Sequence, residues 1–361
     1  MKKSLVALAA LAVVGVASAQ SSVTLFGVVD ATWAHGSGSG AGSSSKTQLT
    51  HSGLTTSRLG FRGTEDLGGG MSASFWLEAA VINDDGSGAA TNTNNQATGA
   101  APAGALVGRQ GLTFGRRSTV SLAGNWGELR AGRDYTPHFW TLTEFDPFGT
   151  LGVGSTLTLV STIGGVTAVR ASNSVGYLTP NKLGGFSGWL QHYRGENNQI
   201  GAVTDKDGTG TSLRIGYAAG PAKIYLATGT TKYATGDIRQ SNLGASYDFK
   251  VVNLMAQVTR ERVSSAVAVA GRGALIGGHI PVGGAGLVRL AYSTYRTDAG
   301  ASPKSTKIAL GYVHNLSKRT ALYTTYARVR NSGGAAVGLN GAVTAASSNS
   351  SGYDIGFRHS F

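Results

Sequence analysis

The chain has 361 residues, 41% of them hydrophobic, with 55 glycines, 7 prolines, no cysteine and a formal net charge of +13. Ordinary apolar content with little proline excludes an intrinsically disordered chain. The missing cysteine excludes a disulfide scaffold and thiolate chemistry, and abundant glycine without a three-residue period excludes collagen and disfavours a compact helical protein.

The first element is a targeting segment. Lys2 and Lys3 precede an apolar stretch from Leu5 to Val16, and Ala17-Ser18-Ala19 supplies small residues at a cleavage position. This order is that of a secretory leader cut after Ala19. The apolar run is shorter than the roughly 20 residues that a membrane helix needs. Domains are therefore expected at 1–19 (leader) and 20–361 (barrel), and the mature chain would hold 342 residues with net charge +11.

From there the hydrophobic period is two. Leu59 and Phe61 alternate with Arg58, Gly60 and Arg62; Phe75, Leu77 and Ala79 with Ser74, Trp76 and Glu78. Leu213, Ile215 and Tyr217 alternate with Ser212, Arg214 and Gly216; Val288, Leu290 and Tyr292 with Arg289, Ala291 and Ser293. The chain ends with Tyr353, Ile355, Phe357, His359 and Phe361 against Asp354, Gly356, Arg358 and Ser360. Segments of about ten residues with one apolar and one polar face predict a transmembrane β-barrel. Sixteen strands are predicted, at 22–34, 54–65, 71–82, 112–122, 127–134, 166–178, 185–195, 210–219, 222–232, 238–249, 250–263, 272–282, 286–297, 305–315, 319–330 and 352–361. The stretch 263–285 alternates least. Short turns such as Ala219-Gly220-Pro221 intervene between long Ser-, Gly- and Asn-rich connections at 36–53, 83–108, 134–165, 195–210 and 331–351. Turns short at one rim and long at the other fit an all-β antiparallel barrel wide enough for water.

Several segments carry a family resemblance. SVTLFGVVD (22–30), SRLGFRGTEDLG (57–68), FGRRSTVSL (114–122), GRDY (132–135), Arg170 to Tyr177 and LSKRT (316–320) resemble the trimeric general porins of β-proteobacterial outer membranes, from the leader to Phe361. The connection 83–108 is long for the family, and His359 stands where Tyr is common. The resemblance implies a sixteen-stranded barrel, a homotrimer, and a third loop folded into the lumen. It also implies a Gram-negative outer-membrane location, contact with outer-membrane lipid and lipopolysaccharide, and a terminal Phe361 read by the barrel-assembly machinery. The aromatics Phe139, Trp140, Phe145 and Phe148 agree with an inward loop, since a solvated loop would expose fewer.

A pore needs a diameter and a field. Lumen-facing charge is expected at Arg58, Arg62, Glu78 and Arg170 by alternation, with Glu78 a partner of Arg58 or Arg62. Arg116 matches the family's basic position, although the parity at Arg116 and Arg117 is ambiguous. Arg133 is expected at the entrance of loop three, and Glu144 and Asp146 as its carboxylates, an acidic loop facing a basic wall. Passive diffusion of small hydrophilic solutes with anion preference follows, or else a channel preferring particular small organic or inorganic anions. The seven histidines show no metal-ligand spacing, and no nucleophile elbow or nucleic-acid motif is present. No enzyme activity, cofactor, metal or nucleic-acid partner is expected.

Overall fold

Strands whose side chains alternate between two solvents must close on themselves in a membrane, because an open edge would leave backbone groups unpaired in hydrocarbon. The computed structural model describes residues 22–89, 95, 112–156, 165–181, 183–197 and 201–361. The leader at 1–19 and most of the 83–108 connection lie outside the described residues. The strands are β1 (Ser22–Gly38), β2 (Lys46–His51), β3 (Arg58–Gly68), β4 (Met71–Ala80), β5 (Arg117–Gly124), β6 (Gly127–Tyr135), β7 (Arg170–Leu178), β8 (Phe186–Tyr193) and β9 (Gly210–Ala219). They continue as β10 (Ala222–Thr231), β11 (Ile238–Asp248), β12 (Asn253–Val263), β13 (Val269–Val282), β14 (Gly286–Thr297), β15 (Lys304–Asn315), β16 (Thr320–Ser332) and β17 (Ser350–Ser360). A single described helix, α1 (Pro137–Glu144), lies between β6 and β7.

Neighbours in sequence pair antiparallel from β3 to β17, and β17 closes on β1 from Val28↔Ser360 to Gly38↔Ser350. The near half of β1 pairs with β3 and the far half with β2. These two segments are halves of one wall strand, so seventeen segments make a closed barrel of sixteen staves. The break at 52–57 has a local cause. Ser52 adopts φ +68°, its hydroxyl accepts from the Ser57 N–H at 2.9 Å, and the Asp30 carboxylate accepts from the N–H groups of Leu54 and Thr55 at 2.9 and 2.6 Å. The expected loop at 36–53 is accordingly shorter, since β1 runs to Gly38 and Lys46–His51 is strand. The weakly alternating stretch contains the regular strand β13, paired along its length with β12 and β14.

The outer face carries exposed Leu25, Trp33, Ile276, Ile308 and Phe357, while Asp30, Gln257, Ser293 and Thr325 lie buried on the inner face. The strand ends that flank the connections 81–116, 136–169, 194–209 and 333–349 share one end of the barrel, and the tight turns share the other.

Candidate pore constriction

The described residues of loop three, 136–156 and 165–169, turn into the lumen. Thr136 is extended, Pro137 occupies the first turn, and its fixed φ suits a helix start. Helix α1 lies across β8, β9, β10 and β11. The wall satisfies the loop's carbonyl groups: Asn242 Nδ2 donates to His138 O at 2.7 Å, Gln257 Nε2 to Leu142 O at 3.2 Å and His279 Nε2 to Pro147 O at 2.7 Å. Further round, Asp354 accepts from the Val153 N–H at 2.7 Å, and the buried Lys307 ammonium donates to Ser155 O. Glycines make the room. Phe145 sits over Gly244, Pro147 over Gly277, Phe148 over Gly311 and Val153 over Gly352, where an added Cβ would meet the loop at 3.0 Å or closer. Gly152, at φ +63°, approaches the Gly53 carbonyl at the break between β2 and β3.

Loop three thus covers the inner wall from β8 round to β17. A cavity of about 860 Å³ lies in the lumen between the loop and the wall of β3 to β10. Among the described residues six arginines line it, Arg58, Arg116, Arg117, Arg130, Arg170 and Arg214, against two carboxylates, Glu78 and Asp134. Register explains the wall: Arg58, Trp76, Glu78, Arg117, Thr119 and Arg130 follow one inward parity through β3, β4, β5 and β6.

The carboxylates hold the arginines in place. Glu78 accepts from Arg116 Nε at 2.6 Å and from Trp76 Nε1 at 3.2 Å, with Arg58 Nε 3.9 Å away. Asp134 accepts from Arg130 Nη1 at 2.9 Å and lies 3.7 Å from Arg117 Nε. The Arg117 guanidinium also covers the Trp76 ring at 4.7 Å. Tyr135 joins this wall to the loop. Its hydroxyl accepts from Arg116 at 2.6 Å and Arg170 at 3.1 Å, and its ring stacks on Phe139 at 5.7 Å.

The structure places the expected residues as follows. Arg58, Glu78, Arg116 and Arg170 line the cavity. Arg117 lines it as well: β5 begins at Arg117, so the residue before it is free of strand parity and both guanidiniums turn inward. Arg62 has the inward parity but lies nearer the short-turn end, over Phe26 at 5.3 Å and Trp76 at 5.2 Å, outside the cavity lining. Arg133 is also off the lining. A register shift between Gly132 and Asp134 turns it to Gly115 O at 2.6 Å and Ser172 Oγ at 2.7 Å.

The expected acidic face of loop three is corrected. Asp146 is buried and accepts from the N–H groups of Phe148, Thr150 and Thr156 at 2.9, 3.3 and 2.8 Å, so it shapes the loop's own turn. Burial raises its pKa. Glu144 pairs with Arg214 and with Lys223 at 3.2 Å, fastening the helix end to β9 and β10. Among the described residues the loop's contribution to the lining is Phe139, Trp140, Thr143, Gly149, Thr150, Leu151 and Val169, none of them charged. Of its four aromatics, Phe139, Phe145 and Phe148 are buried and Trp140 is exposed toward the cavity. Arg130, Asp134 and Arg214 join the site without having been singled out. The signal for Arg214 was its place between Leu213 and Ile215, and for Arg130 its place between Leu129 and Ala131.

A closed barrel, apolar outside and polar inside, with an infolded loop that leaves a charged passage, is a membrane-spanning channel. The chain belongs to the Gram-negative porin family, whose sequence profile matches residues 5–334. It is 40% identical to outer membrane porin protein 32 of Delftia acidovorans over the full length of both chains. It is 28% identical to an outer membrane porin of Bordetella pertussis, over 90% of this chain and 93% of that one. Among solved structures it matches an anion-selective porin from Comamonas acidovorans with TM-score 0.82 and 37% identity, covering 95% of this chain and all of the other. The protein is a porin of the Gram-negative outer membrane, crossing it with every stave of the barrel.

Proposed function

We propose that this porin passes small hydrophilic solutes by passive diffusion, prefers anions, and works as a homotrimer. The observation that carries the preference is the lining: six arginines, two carboxylates, and no charged side chain from loop three. Glu128 and Glu144, paired with Arg130 and Arg214, reduce the excess to two positive charges, and a net positive lining around a narrow aqueous passage concentrates anions and repels cations. The solved relative described as anion-selective supports the same reading. Arg58, Arg117 and Arg170 line the ion path, with Arg116 and Arg130 held by Glu78 and Asp134.

Residues 1–19 act as the removable leader, and Phe361 as the assembly signal. The reading is tested by reconstituting the protein in a planar bilayer and measuring the zero-current potential across a KCl gradient. A potential of the sign for chloride flux is expected; a cation-selective or ideally neutral potential overturns it. Crosslinking in mild detergent tests the trimer, and monomer alone would refute it.

A further inference from the structure

The cavity has two chemically different faces. The barrel wall supplies the charge, with Arg58 on β3, Arg117 on β5 and Arg170 on β7. Loop three supplies an uncharged and mostly apolar face, from Phe139 and Trp140 on α1 to Leu151 and Val169. Small inorganic ions draw nothing from an apolar face, which only hinders the wetting of a narrow passage.

Trp140 stands out on that face. The other loop aromatics, Phe139, Phe145 and Phe148, are buried, whereas Trp140 is 43% exposed and lines the cavity. Among the described residues its ring meets one other, Tyr135, at 5.5 Å and a tilt of 56°, so an indole face stays open to the lumen. An indole stabilises a fold only in so far as it is covered. The open face is therefore unexplained by packing.

Two guanidiniums of the lining are incompletely matched. Arg170 lies over the same Tyr135 ring at 4.5 Å and donates from Nη2 to its hydroxyl at 3.1 Å. Among the described residues no carboxylate stands within 4.0 Å of it. Arg58 comes no closer to Glu78 than 3.9 Å, while Glu78 bonds Arg116 at 2.6 Å. Neither Arg58 Nε nor Arg170 Nε has a hydrogen-bond partner among the described residues. Tyr135 thus holds an open aromatic face and a guanidinium without a carboxylate against one space.

We propose that the constriction selects aromatic carboxylates, anions of the size of benzoate, with the ring stacked on Trp140 and the carboxylate paired with Arg170 and Arg58. The inference rests on the anion preference proposed above and narrows it to a solute class. A guanidinium binds a carboxylate through paired hydrogen bonds. Aromatic rings attract one another in offset and tilted arrangements beyond the area they bury, and a saturated ring of the same size does not.

The test uses the full chain in a planar bilayer, with benzoate, cyclohexanecarboxylate and acetate as probes at constant ionic strength. The concentration of each acid that halves the chloride current is measured. Wild type should need at least about tenfold less benzoate than acetate, and at least about threefold less benzoate than cyclohexanecarboxylate. Trp140→Leu should abolish the preference for benzoate over cyclohexanecarboxylate. Trp140→Phe, which keeps a ring, should retain it to within about twofold. The ratio between acids is the readout, so a general change in pore width or charge cancels. The zero-current potential in KCl alone reads the anion preference separately. A neutral potential there sinks that reading, whereas equal block by benzoate and cyclohexanecarboxylate in wild type sinks this one. A folded Trp140→Leu channel with the wild-type ratio also overturns it, as does an equal loss in the Leu and Phe variants. Should Trp140→Leu fail to fold, the comparison of the three acids on wild type decides the matter.

Discussion

Neutralising Arg58, Arg117 or Arg170 tests whether the lining sets the ion preference. A cavity of about 860 Å³ has an equivalent radius of about 6 Å, which sets the distance from an ion at its centre to the wall charges. At that distance in water one charge contributes about 0.7 kcal/mol. Screening with a Debye length of about 8 Å at physiological salt reduces this to roughly 0.3 kcal/mol. Anions and cations feel it with opposite sign, so removing one arginine shifts their permeability ratio by roughly 0.65 kcal/mol, or about threefold. At 1 M salt, where the Debye length is about 3 Å, the same change should be only about 1.4-fold. Each Arg→Gln variant should therefore lower the chloride-to-potassium ratio about threefold in KCl of physiological ionic strength, and the triple variant more than tenfold if the effects are independent. The assay is the reversal potential across a KCl gradient, with the heat-modifiable mobility of the folded barrel as control. A folded triple variant with an unaltered potential would show that these arginines do not carry the preference.

Glu144→Gln removes the carboxylate shared by Arg214 and Lys223; the helix end of loop three should loosen, giving noisier conductance, and a quiet channel of wild-type conductance would refute this. His138 is buried with Nε2–H donating to Ala168 O at 3.0 Å, Nδ1 has no partner among the described residues, and burial lowers its pKa to about 4. An unfolded histidine titrates near 6.5, so the contribution of neutral His138 is present above that value and is lost as pH falls toward 4, up to about 3 kcal/mol. Asp146, whose pKa burial raises, takes up its proton early and opposes part of the loss. Protease sensitivity of loop three should rise over that window in wild type and flatten in His138→Gln; identical profiles would count against the assignment. Phe361 exchanges two 3.1 Å backbone hydrogen bonds with Gly27 across the β1–β17 seam and lays its ring on that glycine. Its deletion should cut the folded fraction in the outer membrane, and normal levels would sink the idea.

The barrel was legible because alternation is a local property. Arg58, Leu59, Gly60, Phe61 and Arg62 announce their two faces without reference to anything else in the chain. Where the reading failed, a distant partner had set the residue. The stretch around β13 looked irregular because Gly277 is there to admit Pro147 of loop three. The wall strand broken at 52–57 was unmarked because the break is held by Asp30 and meets Gly152. Asp146 was a different case. A carboxylate on an infolded loop reads as a charge for the pore, yet Asp146 with its acceptor bonds to Phe148 and Thr150 is also a local turn, and the Asp-Pro-Phe-Gly-Thr run carried that signal. Sequence could place two carboxylates on the loop but not choose between facing water and capping backbone.

Fourteen of the 31 basic residues behind the net charge of +13 fall into two populations on opposite sides of the barrel wall. One is the lumen set, six arginines against two carboxylates. The other is an exposed outward row on β11–β16, Arg239, Arg260, Arg262, Arg272, Arg296, Lys304, Arg328 and Arg330, eight cations that never face the solute. The cavity lies against β3–β10, with loop three between it and the remaining wall. A barrel of this strand number has a radius of about 16 Å, so charges outside the far wall are at least about 20 Å from the ion path. Screening over that distance leaves each outward charge less than about a 1.1-fold effect on the permeability ratio at physiological salt. The outward variant Arg260→Gln/Arg272→Gln/Arg296→Gln/Lys304→Gln removes four charges and the triple lumen variant three. The smaller change in net charge should nevertheless move the reversal potential strongly, and the larger one hardly at all. If the two sets shift the potential in proportion to the charge removed, selectivity follows the whole protein's field, and the lining arginines have no special part in it.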